Sequence, residues 1–212
     1  AVGGAIIDSG NFDWSAHKDQ FPGLTTPDPS YHGIVYTEKF GKTAYLVKAT
    51  VQLMRDFGST ASPMNAFLLN IGLETLHLRI PRHCSNAQTV AEFLVGHPKV
   101  AWVNYCGLPD NKYHTLACKY LPEGSSGMLT LGLKGGRDHA IRFMDALRLV
   151  SIVTHVADVR SCVLHPASHT HRQLSDEQLV AAGVAPDLIR FSVGIEDIDD
   201  ILADVQQALE KA

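Results

Sequence analysis

The feature that most constrains this chain is a change of hydrophobic period after Gly96-His97-Pro98. Beyond that point, stretches with an apolar residue at every second position take turns with stretches in which apolar residues recur at every third or fourth. A strand shows its side chains alternately to two faces and a helix repeats about every 3.6 residues, so such a sequence builds a sheet with helices laid on it. Residues 100–105, 128–133, 161–164 and 189–195 read as strands. In the last, Ile189, Phe191, Val193 and Ile195 share one face, and Arg190, Ser192 and Gly194 share the other. Residues 113–120 and 137–149 read as helices, the second with a stripe of Ile141, Met144 and Leu147. Ile198, Ile201, Leu202, Val205 and Leu209 mark a further helix behind Glu196-Asp197, acids suited to a helix start. Gly132-Leu133-Lys134-Gly135-Gly136 fits a strand-to-helix turn and lacks both glycine-rich phosphate-binding motifs. Residues 98–212 are therefore expected to form a small α/β domain.

The first half has another character. Residues 1–8 are a short apolar stretch broken by Gly3-Gly4, expected as the last strand of a sheet whose other strands lie elsewhere. Residues 9–41 carry turn signals such as Phe21-Pro22-Gly23 and Thr26-Pro27-Asp28-Pro29-Ser30 without a sustained period, and are expected as a long loop of functional or interfacial use. Val47, Val51 and Met54 give a helix stripe within residues 43–57, stopped by Gly58. Ser62-Pro63 then opens a helical stretch reaching about Leu94. Pro81 is expected to bend or split it, because proline removes one backbone bond and crowds the carbonyl of His77. The expected segments are 1–60, a linking helix over 61–97, and 98–212.

Composition narrows the function classes. With 212 residues, 45% hydrophobic and 19% charged, the chain buries a real core and is not intrinsically disordered. A formal charge of −4 leaves no basic field for a phosphate backbone, which argues against nucleic acid as a partner. No apolar run reaches the roughly 18 to 20 residues needed to cross a bilayer, so no membrane association is expected. The chain opens with neither an initiator Met nor a signal-peptide pattern, and an upstream portion is expected. Cys84, Cys106, Cys118 and Cys162 are widely spaced with no C-x-x-C pair, which fits free thiols in a reducing cytoplasm.

Few residues carry chemistry on their own. The cluster His165-Pro166-Ala167-Ser168-His169-Thr170-His171 contains good metal ligands in type, yet no acid or cysteine completes a recognisable spacing, and a hydrogen-bonded loop is expected instead of a metal site. Arg190 is more informative. An arginine centred in an apolar strand must either reach solvent or have a partner, and that partner is an internal acid or a ligand carboxylate gripped by its planar fork. The chain shows no triad order, paired-carboxylate motif or nucleophile elbow.

Several blocks taken together carry a resemblance. Gly4-Ala5-Ile6-Ile7-Asp8-Ser9-Gly10-Asn11-Phe12-Asp13-Trp14, Phe21-Pro22-Gly23-Leu24, Pro27-Asp28-Pro29-Ser30-Tyr31-His32-Gly33, Ser62-Pro63-Met64-Asn65-Ala66-Phe67 and Gly72-Leu73-Glu74-Thr75-Leu76 occur in the first half. Trp102-Val103-Asn104-Tyr105, Gly107-Leu108-Pro109, His165-Pro166-Ala167-Ser168, Thr170-His171 and Arg190-Phe191-Ser192-Val193-Gly194-Ile195-Glu196-Asp197 occur in the second. Over essentially its whole length the chain resembles the O-acetylhomoserine sulfhydrylases, members of the cysteine and methionine metabolism group of pyridoxal-phosphate enzymes. The resemblance implies an α/β protein: the end of a large aminotransferase-like cofactor domain plus a small C-terminal α/β domain. It implies γ-replacement, in which O-acetyl-L-homoserine and sulfide give L-homocysteine and acetate. Methionine γ-lyase and cystathionine γ-synthase of the same group are alternatives, as is a non-catalytic remnant or assembly module.

The same resemblance implies that pyridoxal 5'-phosphate is bound mainly by an upstream portion, through a lysine in a Ser-x-Thr-Lys motif. None of the nine lysines here has that context, so neither a catalytic nor a cofactor-binding residue is expected in this chain, which alone is expected to be inactive. The implied partners are that upstream N-terminal portion and further copies in a cytoplasmic homotetramer. Arg190 is implied to grip the substrate α-carboxylate. His155 stands where related enzymes more often have Ser or Asn and is implied to help line the substrate site. Val156-Ala157-Asp158 replaces a Val-Gly-Asp or Leu-Gly-Asp pattern.

Overall fold

A computed structural model describes residues 1–212. Internal contacts divide the chain into two units, Ala1–Glu74 and Thr75–Ala212. The division falls inside the expected linking helix.

In the first unit, residues 1–8 form no strand. The expected long loop is not structureless. It contains a 3-10 turn at Trp14–His17, helix α1 (Pro22–Thr25) and helix α2 (Tyr36–Phe40). These short pieces exist because they close over a small core of Leu24, Tyr36 and Ala44, with Trp14, Tyr31, Ile34 and Phe40 packed around it. Tyr36 is fully buried. Lys48 crosses this unit, donating to Asp28 Oδ2 at 2.8 Å and standing 4.7 Å from the centroid of the Tyr36 ring. The expected helix over 43–57 appears as α3 (Ala44–Lys48), a π-helical stretch Ala49–Met54, and α4 (Arg55–Phe57). Gly58, at φ +69°, ends it in the left-handed conformation that glycine adopts without strain. Helix α5 (Pro63–Glu74) follows, and none of its residues is buried. Phe67, Leu69, Ile71 and Leu73 are all exposed.

The second unit opens with α6 (Leu76–Val95). The expected split at Pro81 does not occur: the helical stretch is interrupted at Thr75, and Pro81 lies inside α6. The carbonyl of Thr75 accepts the backbone N–H groups of Leu78 and Arg79, starting a new helix upstream of the proline. Pro81 is the sixth residue of α6, so the helix forgoes the bond that an N–H there would make to the His77 carbonyl and still continues to Val95.

Strands β1 (Val100–Asn104), β2 (Met128–Leu133), β3 (Ser151–Ile152), β4 (Cys162–Leu164) and β5 (Ile189–Ser192) form a 5-stranded sheet in the order β1-β2-β5-β4-β3. All pairs are antiparallel except β3 with β4. The helices are α7 (His114–Tyr120), α8 (Gly136–Ala146), α9 (Asp176–Ala181) and α10 (Ile198–Lys211). Leu129 and Leu131 of β2, Val163 of β4 and Ile189 and Phe191 of β5 meet Val90 and Leu94 of α6, Phe143 of α8, and Ile201, Val205 and Leu209 of α10 in one core. Burying a side chain such as Phe191 contributes roughly 1.5–3 kcal/mol, so this shared face holds the unit together.

Three sequence expectations need correction here. Strand β5 stops at Ser192, because Val193 N–H pairs with Gly127 and Ile195 N–H with Val159, outside the ladder. Helix α8 ends at Ala146 instead of running to 149. The reason lies in α10, where Asp204 accepts the N–H groups of Arg148, Leu149 and Val150 at 2.9 Å each and draws that segment out of the helix. Helix α9, which the reading above lacks, is announced by a capping box: Ser175 caps Gln178 N–H, and the Gln178 side chain accepts from Ser175 N–H.

Candidate functional site

The face of the sheet opposite the core carries Arg190. Cross-strand partners share a face, so the pairings Thr130 with Arg190 and Leu164 with Arg190 put those three side chains together, while Leu129, Phe191 and Val163 point into the core. Arg190 is half-buried and belongs to none of the ion pairs of the structure. Its Nη2 donates instead to the backbone carbonyls of Thr154 at 2.8 Å and His155 at 3.3 Å. An internal acid is thus not its partner. A guanidinium held by neutral carbonyls keeps its full positive charge and has N–H groups to spare, the state suited to receiving an anion.

The loop that supplies those carbonyls is pinned on every side. Ala157 has φ +59°, in the left-handed region, and its N–H donates to Ser192 Oγ at 3.0 Å. This is the position where the resemblance carries glycine, and the geometry explains why: a side chain there costs strain. Next to it, Asp158 accepts from Arg160 Nε at 3.2 Å and Nη2 at 3.1 Å, and lies 3.1 Å from His155 Nδ1. The Arg160 guanidinium, helped by the Arg160 backbone N–H and by His155, holds the Asp158 carboxyl well below the usual carboxylate range. The structure therefore brings the carbonyl of His155 to Arg190 while its imidazole, half exposed, turns to Asp158.

The strand end beside Arg190 is equally fixed. From α6, His83 Nδ1 donates to the Val193 carbonyl at 2.7 Å, and Asn86 Nδ2 donates to the carbonyls of Gly194 at 3.0 Å and Glu196 at 2.9 Å. Glu196 in turn accepts from Ser161 N–H at 2.6 Å and Ser161 Oγ–H at 3.0 Å, and Gly194 N–H donates to Ser161 Oγ at 2.8 Å. A Cβ on Gly194 would stand 2.5 Å from Ser161 N and Val159 O, so only glycine lets these backbones approach. Beside this clamp is a cavity of about 270 Å³ lined by Ile80, His83, Met128, Val156, Ala157 and Ser192, among others. Sequence reasoning missed His83, Asn86 and Ser161. Their polar atoms answer carbonyls and N–H groups that are near only after folding.

The histidine cluster forms the expected hydrogen-bonded loop. His165 Nε2 donates to the Pro186 carbonyl at 2.8 Å, and its Nδ1 lies 2.9 Å from Ser168 Oγ. Burial pushes the His165 imidazole below its ordinary value of 6.5.

Comparison with known proteins bears on this arrangement. Residues 1–210 match the family described as Cys/Met metabolism PLP-dependent enzyme. The chain is 49% identical to homocysteine synthase of Schizosaccharomyces pombe, over 100% of this chain and 49% of that protein. It is 45% identical to O-acetyl-L-homoserine sulfhydrylase 1 of Thermus thermophilus, over 98% of this chain and 49% of that one. A crystal structure of a putative O-acetylhomoserine (thiol)-lyase from Campylobacter jejuni, which carries a pyridoxyl-lysine monophosphate, superposes with a TM-score of 0.80 at 41% identity, covering 91% of this chain and 45% of that one. The chain spans about half the length of the curated relatives it matches.

Proposed function

The chain belongs to the Cys/Met metabolism PLP-dependent enzymes, and from that premise we propose that it is the substrate-carboxylate half of an O-acetylhomoserine sulfhydrylase. The reaction replaces the acetoxy group at Cγ of O-acetyl-L-homoserine with sulfide, releasing L-homocysteine and acetate. The observation that carries this reading is Arg190, charged, free of any acid and aimed by the carbonyls of Thr154 and His155 on the sheet face opposite the core. Its fork would take the α-carboxylate of the amino-acid substrate through paired charge-assisted bonds. His155 contributes its carbonyl to that aim, and its ring, tied to Asp158, holds the loop in shape.

The cofactor tests the division of labour. Pyridoxal phosphate needs a lysine amine for its Schiff base and donors around its phosphate. Lys48 is engaged by Asp28, and Lys99 donates to the carbonyls of Glu210 and Ala212. No lysine stands in a Ser-x-Thr-Lys context. The residues of this chain do not fit the group by themselves, and an upstream portion of the same enzyme is the proposed holder. The exposed apolar residues of α5 support a mate of that kind, since a helix hydrophobic all round is ordinarily covered. A cytoplasmic homotetramer is the proposed assembly; no helix is long and apolar enough to cross a membrane.

Product analysis of the full-length enzyme decides the reading. Supplied with O-acetylhomoserine and sulfide, it should yield homocysteine and acetate in equal amounts. A product of α,γ-elimination instead, or a requirement for cysteine in place of sulfide, would assign it to the lyase or the cystathionine-forming branch of the family.

A further inference from the structure

Away from Arg190, helix α7 carries a thiol and an imidazole one turn apart. Cys118 is exposed, and its Sγ lies 3.4 Å from Nε2 of His114. The other ring nitrogen, Nδ1, lies 3.1 Å from the carbonyl oxygen of Cys106. A carbonyl only accepts, so Nδ1 carries the ring proton and Nε2 turns its lone pair to the thiol. The main chain therefore fixes the tautomer that can take a proton from Cys118. The support beneath is ordered too: Asn111 Nδ2 donates to Asn104 Oδ1 at 2.8 Å, and Asn111 Oδ1 accepts from Tyr113 N–H at 2.9 Å, holding the turn that leads into α7. Nucleophile, base and an acceptor that orients the base are the three parts of an activated thiol.

The other thiols lack this arrangement. Cys84 and Cys162 are buried, and burial pushes the Cys162 thiol up from its ordinary value. Cys106 donates its S–H to the carbonyl of Ser125 at 3.0 Å.

We propose that Cys118 and His114 form a thiol–disulfide exchange site for low-molecular-weight disulfides. In the step, the Cys118 proton passes to His114 Nε2 as Sγ attacks one sulfur of a disulfide R–S–S–R. The bond from Cys118 to that sulfur forms while the S–S bond of the reagent breaks. The departing sulfur leaves with the electron pair and takes the proton from His114, so each modified chain releases one R–SH. The reagent disulfide is the oxidant, and a free thiol reverses the step. An exposed position suits such a reagent, because nothing in the fold has to open.

The test uses the full-length chain, folded, and 5,5'-dithiobis(2-nitrobenzoate), whose released aryl thiol ionises to a coloured thiolate. One equivalent should react in a fast phase, and peptide mapping should place it on Cys118. Cys118→Ser should abolish that phase. His114→Asn keeps a side-chain donor for the Cys106 carbonyl but removes Nε2, and should slow the phase roughly tenfold or more. Below about pH 8 the rate of an unassisted thiol falls about tenfold per pH unit; the wild-type rate should fall less steeply, a readout that needs no variant. A fast equivalent on any other cysteine, a wild-type profile with the unassisted slope, or a His114→Asn protein reacting at the wild-type rate would overturn the assignment.

Discussion

Arg190 Nη2 donates to the backbone carbonyl of Thr154 at 2.8 Å, so the one arginine of β5 is aimed by main chain and neutralised by nothing. The fork remains open to solvent, where an anionic ligand can reach it. In the full-length enzyme, Arg190→Lys should lower kcat/KM for O-acetylhomoserine about 30-fold to 1000-fold, on the order of 2 to 4 kcal/mol, mainly through KM. An ammonium keeps the charge but loses the paired planar bonds. Steady-state kinetics and thermal unfolding should be read together. A variant with lowered stability and unchanged KM would reduce Arg190 to a structural part.

Ala157 offers a change in the opposite direction. Its φ of +59° strains any residue with a Cβ. Ala157→Gly should therefore stabilise the chain by about 1 kcal/mol, the relief of a left-handed alanine less the greater freedom of glycine when unfolded. Urea unfolding measures this, and a lowered midpoint would show that the loop draws no strain from this position.

Asp204 is the buried acid whose removal should matter most. It alone satisfies the N–H groups of Arg148, Leu149 and Val150. Asp204→Ala should cost about 2 kcal/mol, because three N–H donors lose their acceptor and that of Val150 is buried away from water. Equilibrium denaturation provides the number; a loss under about 1 kcal/mol would mean that water replaces the carboxylate.

The buried His165 predicts a dependence on pH. Its folded value is depressed below 6.5, chiefly by burial, so the unfolded chain binds a proton more readily than the folded one. The stability this neutral ring contributes is complete above 6.5 and is lost as pH falls below it. His165→Gln should flatten that part of the stability profile. Asp158 and Asp28, both held low by their cationic partners, add a second decline only below the ordinary carboxylate value of 3.8. Denaturation midpoints across the range would test the order of the two declines.

The cofactor prediction concerns lysines. Borohydride trapping of the full-length enzyme with pyridoxal phosphate, followed by peptide mapping, should place the stoichiometric label outside residues 1–212. A full equivalent on one of the nine lysines of this chain would reverse the proposed division.

Periodicity located most strands and the longer helices of the second unit. Strand β2 and helices α7 and α10 stand where alternation and helical spacing place them, because burying one face of an element is a demand that each element makes by itself. The resemblance, carried by local blocks, led to the family for the same reason: motifs are written in neighbouring residues. Only tertiary structure decided what depends on distant partners. The end of α8 is set by Asp204, far along the chain, and the end of β5 by carbonyls of Gly127 and Val159. The folding of residues 9–41 into short helices follows from closure over Tyr36, which no local period announces. The same holds at the site. That Arg190 carries an unneutralised charge was invisible in its strand, since the carbonyls of Thr154 and His155 meet it only when the loop turns through Ala157.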